Sequence, residues 1–383
     1  HQPQNVPDGE DVQVVYSSAV PEENPERVSA RARGLRELAR AELLGELSAL
    51  RRTIAVAGTH GKTTTSSMLV HALRGAGLDP GWLIGGSIGG GLANGHWSDG
   101  EWLVIEADES DRSMLALDVQ IAVLTNIELD HHSTFSTLEE LRETFHQFLE
   151  GAGQAVIWDR PQLLKLRAGE AIAYDLPAPE LSDGGSRFPW RGETVTLRVP
   201  GAHNALNACG ALEAAALAGA DTAKAIAALG QFTGAGRRFQ LLGKTRSGGV
   251  LYDDYAHHPT EVAATLQGAR TLPHRRLVAV FQPHLFSRTA LLAREFGAAL
   301  ALADIAVVLD VYPARERAED FPGVSGLLIA EATAGHSGGR PVYWLPGFDD
   351  AEPVLEGLLS DGDVCVVMGA GDVNQLTARL IDE

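Results

Sequence analysis

Ile54-Ala55-Val56-Ala57-Gly58-Thr59-His60-Gly61-Lys62-Thr63-Thr64-Thr65 is the stretch that decides the fold. Its first four residues are a short apolar run, the pattern of a strand buried on both faces. Two glycines then mark a turn, and the residues to about Arg74 carry the periodicity of an amphipathic helix. Strand, glycine turn and helix in that order frame a phosphate-binding loop. Glycines let backbone N–H groups turn inward around phosphate oxygens, and the helix N-terminus adds positive potential. Lys62 supplies a mobile point charge and Thr63 a hydroxyl for Mg²⁺. The spacing departs from the usual G-x-x-x-x-G-K-[ST], because Val56 stands where the first glycine would be and Gly58 comes two residues later. A purely structural turn would need glycine but not Gly-Lys-Thr at a helix start. Gly58, Thr59, His60, Gly61, Lys62, Thr63 and Thr64 are therefore expected to bind ATP.

On either side of this loop the chain reads as alternating apolar runs and helical segments, which implies a mostly parallel sheet covered by helices. The runs Trp102 to Ile105 and Ile121 to Leu124 belong to the same sheet, and Leu138 to Leu149 is helical. Before it, residues 1–48 hold one β-like run, Val12 to Tyr16, and one helical stretch from Pro25 to about Leu47, too little to close a core. After a β-rich stretch between Gln154 and Val199, two alanine-rich helices lead to Gly234-Ala235-Gly236, where a boundary is expected. The alternation then restarts with Val250 to Tyr252, Leu277 to Phe281, Ile305 to Leu309, Val342 to Leu345 and Val364 to Met368, a second, Rossmann-like doubly wound unit. The expected division is 1–48, 49–235 and 236–383, all α/β.

Ligands of open α/β sheets bind at the carboxyl ends of strands, so polar residues there are candidates. Trp102 to Ile105 runs into Glu106-Ala107-Asp108-Glu109-Ser110-Asp111, and Glu106 is the best placed to hold Mg²⁺ opposite the loop. Asp108, Glu109 and Asp111 read equally well as a solvated acidic turn. Thr125-Asn126-Ile127-Glu128-Leu129-Asp130-His131-His132 ends the next strand, where His131 could coordinate a second metal ion or contact phosphate. In the second unit, Asp253-Asp254-Tyr255-Ala256-His257-His258 gathers carboxylates, a phenol and imidazoles suited to an amino group and a charged intermediate. Arg288, after Gln282-Pro283-His284-Leu285, could hold a carboxylate or phosphate bidentately. The turn Gly369-Ala370-Gly371-Asp372 either brings backbone close to a ligand or packs tightly.

Composition excludes other classes. The 383 residues carry 50 acidic against 31 basic side chains, a formal charge of −19 that repels nucleic acid. No apolar run approaches the roughly 18–20 residues of a membrane helix. The two cysteines, Cys209 and Cys365, lie far apart in apolar surroundings, as core thiols of a reducing cytoplasm do.

Taken in order, G-T-H-G-K-T-T-T, E-A-D-E-S-D, T-N-I-E-x-D-H, G-x-H-N-x-L-N (Gly201 to Asn207), G-x-G-R-R-F, D-D-Y-x-H-H-P-T-E, F-Q-P-H and G-A-G-D resemble the Mur ligases across nearly the whole chain, and among them the branch that adds L-alanine to UDP-N-acetylmuramate. The resemblance implies ATP-driven phosphorylation of the sugar nucleotide's lactyl carboxylate, then attack of the L-alanine amine on the acyl phosphate, in peptidoglycan precursor synthesis. Lys62 would bind the β- and γ-phosphates, Thr63 and Glu106 one Mg²⁺, and His131 a second. His203, Asn204, Asn207 and Arg238 would line the nucleotide's base and ribose. Tyr255, His257 and Arg288 would contact the muramate or the amino acid, and Lys62, His131, His257 and Arg288 would serve catalysis. Two departures stand out. Leu285 replaces an arginine usual in the family, and residues 1–48 match only the closing part of the family's UDP-binding domain. A tripeptide-recycling ligase, a folylpolyglutamate synthase and an ATP-binding module without ligase activity are the competing readings.

Overall fold

The chain, seen in a computed structural model that describes residues 1–9, 11–130 and 134–381, runs through β1 (Gln13–Tyr16), α1 (Pro25–Ala32), β2 (Arg36–Ala39), α2 (Arg40–Ser48), β3 (Arg52–Ala57), α3 (Lys62–Gly75), β4 (Gly81–Leu83), β5 (Gly95–His96), β6 (Trp102–Glu106), β7 (Ile121–Leu124) and α4 (Leu138–Glu150). It continues through β8 (Gln154–Trp158), α5 (Pro161–Leu164), β9 (Ile172–Tyr174), β10 (Glu180–Ser182), β11 (Gly185–Trp190), β12 (Glu193–Leu197), α6 (Ala202–Leu217) and α7 (Thr222–Leu229). The last part holds β13 (Gln240–Lys244), β14 (Val250–Asp254), α8 (Pro259–Ala269), β15 (Leu277–Phe281), α9 (Phe286–Leu300), β16 (Ile305–Val308), α10 (Gly326–His336), β17 (Val342–Trp344), α11 (Phe348–Leu358), β18 (Val364–Met368) and α12 (Asn374–Leu380). Two compact units result: His1–Gly85 with Asn94–Asp175 and Asn207–Ala228, and Gly86–Ala93 with Leu176–Leu206 and Leu229–Glu383.

The apolar run at 54–57 sits at the centre of the first unit. β3 lies between β6 and β7 in a seven-stranded sheet of order β5-β4-β6-β3-β7-β8-β9, parallel except for β5. Both of its faces are covered, so every residue from Thr53 to Ala57 is buried and the strand reads as continuous rather than alternating. Ala55 and Ala57 join Leu124, Phe145 and Phe148 in one core, while Met68, Leu69 and Leu73 of α3 are buried as well.

In the second unit the sheet order is β13-β14-β18-β15-β16-β17. Strand periodicity divides its side chains cleanly between two cores. Leu277, Ala279, Phe281, Val364, Val366 and Met368 pack with Val262, Leu266, Phe296 and Ile329 from α8, α9 and α10. Val278, Val280, Cys365 and Val367 pack with Leu355 and Leu376 from α11 and α12. A separate antiparallel sheet, β10-β11-β12, belongs to this unit.

One expectation needs correction. The helix read from Pro25 to Leu47 is broken: α1 ends at Ala32, Gly34 turns the chain at φ +67°, and the Leu35 N–H reaches back to the Ala30 carbonyl, as at a glycine-terminated helix. The following Arg36–Ala39 becomes β2 and pairs in parallel with β1. Tertiary pairing overrode the helical propensity of Arg, Glu, Leu and Ala here. The edge strand β13 was also not anticipated, since a bulge between Leu241 and Gly243 interrupts its pattern. Among the described residues no helix is long and apolar enough to cross a membrane. Both cysteines are core thiols, each pushed up to about 12 by burial.

Candidate active site

The loop after β3 is shaped by two glycines in backbone conformations that a side chain would strain. Gly58 lies at φ +133°, and a Cβ there would fall 2.1 Å from Thr125 Oγ1 and 2.9 Å from the Asn126 carbonyl. Gly61, at φ +82°, opens α3, and its Cβ would fall 2.7 Å from Asn207 Oδ1. Asn207 of α6 is thus set directly against the loop.

The strand end after β7 braces the loop from below. Thr59 N–H donates to the Asn126 carbonyl (3.1 Å), His60 N–H to Asn126 Oδ1 (2.9 Å), and Thr125 Oγ1 and Asn126 Nδ2 to the His60 carbonyl (2.7 and 2.9 Å). Thr59 Oγ1 donates to the Glu128 carbonyl (2.9 Å), and the His60 ring lies 3.0 Å from Glu128 Oε2. These bonds fix the direction in which the loop's remaining N–H groups point, which is the preorganisation an anion site requires.

Lys62 and Thr63 open α3, with Thr64 buried behind them. Thr63 Oγ1 donates to Glu106 Oε1 (2.9 Å), and Glu106 Oε2 accepts the Gly85 N–H (2.8 Å). A hydroxyl and a carboxylate so close at a strand end form the all-oxygen donor pair that suits Mg²⁺. Lys62 Nζ donates to the Gly58 carbonyl (2.6 Å), the Thr59 carbonyl (3.2 Å) and both oxygens of Glu109 (2.8 and 3.0 Å). Burial works against its charge, but Glu109, then Asp108 and Glu106, raise the ammonium above its ordinary value. Glu109 is therefore no solvated turn residue; it is 0% exposed. Asp108 and Asp111 do shape the turn, accepting the Ser110 and Ser113 N–H groups and facing Arg40 of α2. His131 lies outside the described residues.

In the second unit the carboxyl ends of β14, β15, β16 and β18 gather a second group. Asp254 accepts the Phe239 and Ala256 N–H groups, both at 2.7 Å. Burial lifts its carboxyl to about 6, against the pull of Arg238 and those two N–H groups. Asp253 accepts Arg237 Nε (3.0 Å), and the same guanidinium donates to the Gly369 carbonyl (2.8 Å). The Arg238 guanidinium lies over the Tyr255 ring at 4.9 Å. His257 meets Tyr255 edge-on at 5.4 Å and faces His284 at 6.1 Å, while Glu261 accepts the His257 N–H at 3.0 Å. His284 stacks on Tyr312 at 5.7 Å, and the buried Arg288 lies 3.3 Å from His284 Nδ1. Tyr255, His257 and Arg288 thus belong to one group, completed by His284 and Tyr312. Leu285 sits at its edge at φ +72°, a strained region for a branched side chain, as it enters α9. Gly371 packs tightly, since a Cβ would lie 2.6 Å from both Gln282 Oε1 and Tyr312 Cγ.

The G-x-H-N-x-L-N residues do not act alike. Burial drives the His203 imidazole down to about 4, hence neutral, and Asn204 Nδ2 ties the start of α6 to the Pro200 carbonyl (2.7 Å). Asn207 approaches the loop at Gly61. Two signals were available for the residues that sequence reading missed. Glu109 lies at the same two-residue spacing as Ile105 and Ala107, the parity of the strand's buried face, and Tyr312 follows a parallel strand just as His284 does.

Three family profiles cover the chain in order: "Mur ligase family, catalytic domain" at residues 1–52, "Mur ligase middle domain" at 56–215, and "Mur ligase, glutamate ligase domain" at 237–371. The chain belongs to the Mur ligase family. This Mur ligase is 42% identical to the UDP-N-acetylmuramate–L-alanine ligase of Mycolicibacterium smegmatis, over 99% of its own length and 83% of that protein's. Among solved structures it resembles UDP-N-acetylmuramate-alanine ligase MurC from Thermotoga maritima, with TM-score 0.80, 26% identity, and coverage of 96% of this chain and 84% of that one. The murein peptide ligase of Psychrobacter arcticus matches with TM-score 0.63 and 27% identity, covering 96% and 85%.

Proposed function

We propose that this Mur ligase joins L-alanine to the lactyl carboxylate of UDP-N-acetylmuramate, with ATP converted to ADP and phosphate, in the cytoplasm. The observation that carries this reading is the 42% identity to a ligase of that name along almost the entire chain. The division of labour follows the three stretches 1–48, 49–235 and 236–383, with nucleotide handling in the middle stretch and substrate handling in the last.

A carboxylate is a poor electrophile, and making one of its oxygens part of a phosphate leaving group splits a hard step into two easier ones. The loop N–H groups and Lys62 cradle the β- and γ-phosphates, while the Thr125–Glu128 brace keeps them from reorganising as charge moves. Thr63 and Glu106 would hold Mg²⁺, and His131 would hold a second ion. Bound there, Mg²⁺ supplies charge neutralisation at the transferring phosphoryl group. Asn207 contacts the nucleotide beside Gly61, and the assignment of His203, Asn204 and Arg238 to its base and ribose rests on the family resemblance. In the second unit Arg288, next to His284, holds a carboxylate, and Tyr255 with His257 orients the amine.

The test is phosphate release from ATP, Mg²⁺ and UDP-N-acetylmuramate with L-alanine, glycine, L-serine or the tripeptide offered in parallel. Release that needs L-alanine supports the reading. Preference for the tripeptide supports the recycling ligase, and nucleotide binding with no release under any acceptor overturns ligase activity.

A further inference from the structure

Glu109 is buried, sits outside the Thr63–Glu106 pair, and spends both carboxylate oxygens on Lys62. The Lys62 ammonium has three N–H groups, and Glu109 with the Gly58 and Thr59 carbonyls accounts for all three. Lys62 therefore lies folded back on its own loop, satisfied by the protein alone. A phosphate oxygen can reach it only by displacing one of these partners. The loop carbonyls cannot move far, since Thr59 and His60 are pinned by Asn126 and Glu128. A carboxylate side chain can swing aside where braced backbone cannot, which puts the exchange on Glu109.

We propose that Glu109 is a positioning residue that keeps Lys62 in a resting, folded-back state and competes with the ATP phosphates for its ammonium. Glu109 stands in for the phosphate in the resting loop, and each binding event begins with a swap of one anion for another. Its carboxylate thus lowers nucleotide affinity, the reverse of what a residue that merely supports the loop would do. This inference rests on the reading of the loop as an ATP site.

ATP binding without sugar nucleotide, measured by calorimetry on the full chain, tests it in a double-mutant cycle of E109Q and K62M, with thermal melting as a control. E109Q is expected to tighten ATP binding about tenfold, the weight of one charge-assisted hydrogen bond. In the K62M background the same change is expected to do nothing, because the effect runs through Lys62. E109D, which keeps the charge but shortens the reach, should give a smaller gain and covers the case in which E109Q does not fold. Unchanged or weaker binding by E109Q and E109D overturns the proposal, as does an equal gain in the K62M background, which would mean plain repulsion of phosphate. Failure of the parent chain to bind ATP at all would instead sink the reading of the loop, and the proposal with it.

Discussion

Gly58→Ala probes the loop geometry at its tightest point. The new Cβ would lie 2.1 Å from Thr125 Oγ1, 2.9 Å from the Asn126 carbonyl and 3.0 Å from the Asn126 N. Two of the three are backbone atoms of a strand end anchored in the sheet, so the loop must give way. A φ of +133° in a residue with a side chain costs about 1–3 kcal/mol. Displacing Thr125 Oγ1 also breaks its 2.7 Å bond to the His60 carbonyl, which costs about 1 kcal/mol or more when the acceptor stays buried. The sum, about 2–4 kcal/mol, appears either as unfolding or as loop movement. In the first case the melting temperature falls by about 4–16 °C, and in the second ATP affinity falls about 30-fold to 1000-fold. G58A/T125A removes the closest clash but not the backbone strain, so it should recover part of the loss. Calorimetric titration with ATP and a melting curve for the parent and both variants decide the matter. Parent-like affinity and melting in G58A would refute the loop geometry.

Three further outcomes follow from the same structure. Asn126→Ala removes the bonds to the His60 N–H and carbonyl and should weaken ATP binding about 30-fold, each bond being worth about 1 kcal/mol. Arg288→Ala should leave ATP affinity unchanged while cutting the ligase rate about 100-fold or more, the scale of losing a preorganised charged donor. Asp363 is buried between Arg275 and Arg276, which hold its carboxyl well below the usual range in spite of burial. Its native acid form is disfavoured, so it stabilises fully above the unfolded value of about 3.9 and that contribution drains away as pH falls further. D363N should cost about 2–3 kcal/mol at pH 7, below the ~3–5 of a fully buried pair because the arginines are partly exposed, and it should flatten the stability loss seen in urea titrations below about pH 4.

The parts of this protein that obey a local rule were readable from the residues. β15 and β18 were placed to the residue because strands buried on both faces give unbroken apolar runs. The loop was readable because Gly-Lys-Thr at a helix start has few other uses, and Tyr255, His257 and Arg288 because they follow strand ends. What stayed hidden depended on tertiary partners. Arg36–Ala39 became a strand only because β1 lay beside it. Glu109 reads as an acidic turn until its burial against Lys62 is seen, and Tyr312 gains meaning only when His284 stacks on it. Asn204, grouped with Asn207 by their shared motif, also ties the start of α6 to the Pro200 carbonyl, a local bond that no motif announces.

The central claim, ligation through an acyl phosphate, is tested most directly by labelling the lactyl carboxylate of UDP-N-acetylmuramate with ¹⁸O and supplying ATP, Mg²⁺ and L-alanine. Attack of a carboxylate oxygen on the γ-phosphorus and later loss of phosphate to the amine carries one labelled oxygen into inorganic phosphate. Labelled phosphate in step with amide formation, and dependent on L-alanine, is the predicted result. Unlabelled phosphate, or amide formed with the label retained in full, would contradict the account.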